Sequence, residues 1–125
     1  MSGPWIKLDA SFWHNLKVIG AGNAATGVYV RALAYCGGSL TDGFIPRAIA
    51  KQLGTPGELS KVTKVGLWQV VVEGEWLSDG LAAPTDGYYI ADYLEHQRSR
   101  AEVHELRAER SRAGRKGAEK RWQQP

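Results

Sequence analysis

Between Ala25 and Cys36 the apolar residues recur at the spacing of a helix. Ala25, Val28, Tyr29, Ala32, Leu33 and Cys36 fall at i, i+3, i+4, i+7, i+8 and i+11, the buried stripe of an amphipathic helix. Gly37-Gly38 is expected to end it. Upstream, Trp5-Ile6-Lys7-Leu8 alternates between apolar and polar residues and predicts a short strand. Phe12, Trp13, Leu16, Val18 and Ile19 suit a short helix or helical turn, which Gly20, Gly22 and Asn23 break. Cys36 lies on the apolar stripe and reads as a small core residue, with nothing nearby in sequence that would activate a thiol.

Downstream, Leu40-Thr41-Asp42-Gly43-Phe44-Ile45-Pro46 places an Asp-Gly turn before a very short extended piece. Pro46 then opens a helix over 47–53, with Ala48, Ile49 and Leu53 facing inward and Gly54 closing it. Thr55-Pro56-Gly57-Glu58 opens another helix: Thr55 caps it, Pro56 suits its first turn, and Glu58 stands three residues after the cap. Leu59, Val62 and Val65 form its inner face, and Gly66 ends it. The β-branched and aromatic run over 67–73 and the run Tyr88-Tyr89-Ile90-Ala91 predict two strands of a hairpin. Trp68 and Tyr89 are its expected core residues. The long Gly/Asp/Pro-rich tip holds Trp76 and Leu77, both expected to be exposed. Asp92, with Glu95 three residues on, is expected to cap a last helix reaching Glu119 and marginal beyond about Arg110.

This order predicts an α+β winged helix-turn-helix domain over residues 1–94 and a basic C-terminal helix or tail over 95–125. The helices at 46–53 and 56–65 form the helix-turn-helix and the hairpin its wing. In that arrangement the second helix enters a DNA major groove. Its outward residues Ser60, Lys61, Thr63 and Lys64, with Gln69 just beyond, are the candidate contacts, since Lys reaches phosphates or guanine acceptors and Ser/Thr meet either.

Charge sharpens the picture. The chain of 125 residues carries a net +3. Residues 1–94 set seven Lys/Arg against eight Asp/Glu, whereas residues 95–125 set nine against five. The whole excess therefore lies in the C-terminal quarter, where Arg107, Arg110, Arg112, Arg115, Lys116, Lys120 and Arg121 are candidate phosphate contacts. Hydrophobic residues at 43% and charged residues at 23% fit an ordinary globular domain.

Several classes are disfavoured. No apolar run approaches the roughly 18 residues needed to span a bilayer, and the first residues do not read as a secretion signal. One cysteine cannot form an internal disulfide and suits a reducing cytoplasm. His14, His96 and His104 lack metal-ligand spacing and have no companion set resembling a catalytic triad. Gly20-Ala21-Gly22-Asn23-Ala24-Ala25 is a poor match to a dinucleotide-binding fingerprint, because it lacks the final Gly, a preceding apolar strand and a βαβ unit. The expectation is a protein without catalysis, cofactor or metal.

Four segments resemble a known group: Trp5-Ile6-Lys7-Leu8-Asp9, Leu40-Thr41-Asp42-Gly43-Phe44-Ile45-Pro46, Gly66-Leu67-Trp68 and Gly87-Tyr88-Tyr89-Ile90-Ala91-Asp92-Tyr93. They resemble the small winged-helix DNA-binding proteins of actinobacterial phages and prophages. They are also similar to the N-terminal domain of phage replication-initiation (DnaD-like replisome organiser) proteins. The tail Arg110-Ser111-Arg112-Ala113-Gly114-Arg115-Lys116-Gly117 resembles the basic ends of such proteins. The resemblance implies double-stranded DNA as partner, a role in replication initiation or transcription regulation, and the cytoplasm of a bacterial host.

The alternative is an adaptor or inhibitor that docks a host or phage protein through the hairpin, at Trp76 and Leu77, and the C-terminal helix. A homodimer is compatible with either.

Overall fold

The computed structural model describes residues 5–77, 82–91, 93–97 and 100–123. Among them the chain forms a 3-10 turn at Phe12–His14, α1 (Leu16–Ser39), β1 (Phe44–Pro46), α2 (Arg47–Leu53), α3 (Pro56–Lys64), β2 (Trp68–Val71), β3 (Gly87–Ile90), α4 (Tyr93–His96) and α5 (Arg100–Gln123). This is an α+β fold: helices packed around a small three-stranded sheet of order β1-β3-β2, with both pairings antiparallel. None of the described helices is long and apolar enough to cross a membrane.

The two helical segments expected on either side of Gly20–Asn23 are present: α1 comprises two helical stretches that meet at a sharp kink at Gly22. Its φ of 81° and ψ of 169° leave the helical region, a conformation glycine adopts without steric cost. Asn15 caps the start by accepting the backbone N–H groups of Lys17 and Val18. Past the bend, the Thr26 hydroxyl donates to the Gly22 carbonyl at 2.7 Å. Gly37-Gly38 does not stop the helix, which continues to Ser39. Gly37 answers a packing need instead: a Cβ there would lie 2.5 Å from Cγ2 of Ile6.

Ile6 belongs to the segment expected as a strand. Residues 5–8 form no strand, because no described strand lies beside them. The buried side chain of Gln97 takes that place. Lys7 N–H donates to Gln97 Oε1 at 2.8 Å, and Gln97 Nε2 donates back to the Lys7 carbonyl at 2.6 Å. One side-chain amide thus satisfies both backbone groups, as a neighbouring strand would.

The middle of the chain follows its sequence closely. Thr55 and Glu58 form a reciprocal capping box, with Glu58 N–H donating to Thr55 Oγ1 at 3.2 Å and Thr55 N–H donating to Glu58 Oε1 at 2.8 Å. The Arg31 guanidinium donates to the Leu53 carbonyl at 3.0 Å, closing α2 against α1. The expected strand over 67–73 shortens to β2 and that over 88–91 shifts by one residue to β3, in register Trp68↔Ile90 and Val70↔Tyr88. On the other edge, Phe44↔Tyr89 and Ile45↔Tyr88 join β1 to β3. Trp68, Ile45, Ile90, Val62 and Cys36 are the largest fully buried side chains and mark where helices and sheet meet.

Three further expectations need correction or delimiting. Leu77 is buried, not exposed: Trp76 pairs with Ala82 in an isolated bridge and points outward, so its neighbour Leu77 turns into the core. The single last helix is two, α4 and α5, and the second continues past Glu119 to Gln123. The expected cap Asp92 lies outside the described residues.

Two predictions follow from this packing. At Gly87 a Cβ would lie 2.2 Å from the Ile45 carbonyl oxygen. Gly87→Ala should therefore lose about 2 kcal/mol or more by forcing β1 and β3 apart. Gly27, inside α1 with nothing near its Cβ position, is the control: Gly27→Ala should gain about 0.5–1 kcal/mol. Urea denaturation measures both, and equal effects would contradict the register.

The second concerns pH. Burial pushes the Cys36 thiol up from 9.0 to about 11. Below pH 9 the thiol is neutral whether the chain is folded or not, and the folded state keeps its full stability. Between pH 9 and 11 the unfolded thiol ionises first, so stability falls, by about 2–3 kcal/mol at the upper end. Burial pushes Tyr93 up as well, so Cys36→Ala should flatten this alkaline decline without abolishing it. An unchanged slope between pH 8.5 and 10.5 would contradict the assignment.

Candidate nucleic-acid interface

α2, α3 and the hairpin enclose an open groove of about 550 Å³. Its walls are Arg47 and Lys51 from α2, Pro56, Leu59, Ser60, Thr63 and Lys64 from α3, and Val70 and Tyr88 from β2 and β3. The side chains reach it for identifiable reasons. Ser60, Thr63 and Lys64 follow Pro56 at i+4, i+7 and i+8, one face of a helix. Val62 on the opposite face of α3 is fully buried in the core, and Leu59, between the two faces, is buried at the floor of the groove. Val70 and Tyr88 are cross-strand partners and so share one face of the sheet.

The groove holds three cations and no carboxylate among its lining residues. The one acid of α3, Glu58, is held by the capping box at the N-terminus of the helix, the opposite end from Lys64. Arg47, Lys51, Ser60 and Lys64 are exposed, Thr63 and Tyr88 half-buried. The Thr63 hydroxyl donates to the Leu59 carbonyl within its own helix. A cationic concavity with no acid among its lining residues suits a polyanion.

Of the expected α3 contacts, Ser60, Thr63 and Lys64 come together here. Lys61 is exposed but does not line the groove, and Gln69, also exposed, projects from the sheet face opposite Val70. Arg47 and Lys51 were not among the sequence candidates. Their signal was present, because both precede the helix-turn-helix turn on the polar side of α2, but only the packing of α2 against α1 and β3 brings them into the groove that Lys64 lines.

The tail residues fall on α5. Arg107, Arg110, Arg112, Arg115 and Lys116 are all exposed. Lys120 and Arg121 lie in α5 with side chains outside the described residues. The charges are not spread evenly round the helix. Glu102, Glu105, Glu109, Arg112 and Lys116 recur at i, i+3, i+7, i+10 and i+14 and so share one face, acids mixed with bases. Arg107 and Arg110 share the other side with Val103, four and seven residues before them, and no acid stands among them. Val103 is buried, whereas Arg107 and Arg110, further along the same side of α5, are exposed. Arg115 stands at the flank, its guanidinium 3.4 Å from the Ser111 hydroxyl.

Two other surfaces are distinctive. Trp76 is 77% exposed on the hairpin, without Leu77 beside it. Beneath the N-terminal arm, a second concavity of about 480 Å³ is lined by residues including Leu8, Phe12, Asn15, Val18 and Tyr29, with Phe12 stacked on Tyr29 at 5.8 Å. Among the described residues no cluster of His, Cys, Asp and Glu is arranged to hold a metal, and burial keeps the Cys36 thiol protonated at neutral pH. In comparisons with family models, with curated proteins and with solved structures, nothing matches this chain.

Proposed function

We propose that the protein binds double-stranded DNA as a winged-helix module, with the α2–α3–hairpin groove on the duplex and α5 against the phosphate backbone. The observation that carries this reading is the acid-free groove in which Arg47, Lys51 and Lys64 converge beside Ser60, Thr63 and Tyr88. The element order supports it: helix, short strand, two helices joined by Gly54-Thr55, then a hairpin whose second strand lies between the other two. Fold alone does not decide function, so the weight rests on the groove's charge.

Phosphate contacts set affinity, and contacts to base edges set sequence preference. In this reading Arg47, Lys51 and the α5 arginines hold phosphates, while Ser60, Thr63 and Lys64 stand nearest the bases. A role in replication initiation or transcription regulation in a bacterial cell accords with such a module and belongs to the same proposal. A second reading, docking of a protein through the hairpin, has the exposed Trp76 in its favour. It loses Leu77, which is buried.

Fluorescence anisotropy on a random duplex across a salt series tests the proposal. The slope of log affinity against log salt should be about −4 to −6, and Lys51→Gln with Lys64→Gln should reduce it by about 2. Absence of binding at low salt would overturn the DNA reading and favour the docking one. The distribution of charge on α5 gives a sharper, charge-matched test. Arg107→Gln with Arg110→Gln and Arg112→Gln with Lys116→Gln each remove two positive charges. The first pair should reduce the slope by about 2 and the second by well under 1. Equal losses would mean that α5 acts through net charge alone.

A further inference from the structure

Between Lys64 and Arg98 the chain has no lysine or arginine, and six carboxylates fall in those 33 residues. The stretch spans both hairpin strands, the loop that joins them and α4. Every cation of the groove comes instead from α2 and α3, while the hairpin strands line it with the uncharged Val70 and Tyr88.

The hairpin is also not a free finger. β2 and β3 have four residues each, a length of about 13 Å. Past Val71 the chain turns at once. Glu75 N–H donates to the Val72 carbonyl at 3.0 Å, and Gly74 supplies the φ of 87° that the turn requires. Gly74 N–H then donates to the Ala83 carbonyl at 2.9 Å, and Ala83 N–H donates to the Glu75 carbonyl at 2.8 Å. Leu77 and Ala83 are buried in the core, so the loop is anchored to the body on that side. Glu73, Glu75 and Trp76 are left exposed.

These acids border the groove. Glu73 follows Val70 by three residues, so their Cα atoms lie within about 11 Å of each other by chain reach alone. Asp86 stands at the same border. Its carbonyl accepts the Arg47 N–H at 3.1 Å, and its Oδ1 accepts the Glu73 N–H at 2.8 Å. A separation of about 10 Å is one Debye length at 0.1 M salt. Phosphates drawn to the cations of the groove therefore lie within the field of these carboxylates.

Resting on the DNA reading above, we infer that the hairpin loop stands off the duplex and limits where the duplex can lie. Its part in binding ends at Val70 and Tyr88. Glu73 and Glu75 are positioning residues: they touch no DNA and repel the phosphate backbone from the hairpin side of the groove. Like charge set against like penalises a misplaced partner, so the duplex settles towards α2 and α3, where the cations are. Trp76 shares the exclusion. An aromatic wedge between base steps would carry its neighbour Glu75 into the phosphates. The two acids lower affinity for every sequence alike and in return restrict placement.

Fluorescence anisotropy with a random duplex at 50 and 300 mM salt tests this with the full chain. Glu73→Gln with Glu75→Gln should raise affinity at least about threefold at 50 mM, and by less than about twofold at 300 mM, because the effect acts through solvent over about one Debye length. Trp76→Ala should leave affinity within about twofold at both. A smaller gain from the glutamine pair at 50 mM, or a gain undiminished at 300 mM, would overturn the inference. So would a larger loss from Trp76→Ala, which would put the loop on the DNA while leaving the DNA reading intact. A wild-type chain that fails to bind at 50 mM would overturn the DNA reading itself, and this inference with it.

Discussion

The central strand β3 is the constraint on which the remaining geometry depends. It lies between β1, which leads into α2, and β2, which follows α3, so it ties the two helices to the hairpin. The tie is close. Gly87 has no room for a Cβ against the Ile45 carbonyl, and the pairing Arg47 N–H to Asp86 carbonyl at 3.1 Å starts α2 beside it. Moving β3 by one residue would exchange Tyr88 and Tyr89 between faces. Tyr89 would leave the core beside Phe44, and Tyr88 would leave the groove.

With that register fixed, the division of the surface follows from ordinary packing. The apolar side of α3 goes to the core, and its small polar residues are left to face α2. The cations of α2 share the groove with Lys64, no lining residue is an acid, and the acid of α3, Glu58, is spent on capping. The groove is cationic less because the chain is basic than because its acids are placed elsewhere. The body over 1–94 is slightly acidic in sum. The same holds on α5, where the acids gather on one face and leave Arg107 and Arg110 alone on the other.

Much of this was legible in the sequence. The α1 stripe, the Thr55–Glu58 capping box, the turn at Asp42-Gly43 and the two hairpin strands are local signals, set by periodicity and backbone chemistry, and they fix the element order. Ser60, Thr63 and Lys64 followed from the same periodicity. What was not legible depended on contacts between distant segments. Arg47 and Lys51 reach the groove only because α2 packs against β3 and α1. Residues 5–8 carry a strand pattern but find Gln97 in place of a strand. Gly37 reads as a helix end, yet it is small because Ile6 crosses it. Leu77 looks like loop surface until the Trp76–Ala82 bridge sets which neighbour turns inward.

The most direct measurement is a 15N–1H chemical-shift titration of the protein with a short random duplex at low salt. The account predicts perturbations that cluster at Arg47, Lys51, Ser60, Thr63, Lys64, Val70 and Tyr88 and on α5 near Arg107 and Arg110. Shifts confined to the Trp13–Ile19 segment or to the Trp76 hairpin, or no shifts at all, would contradict it.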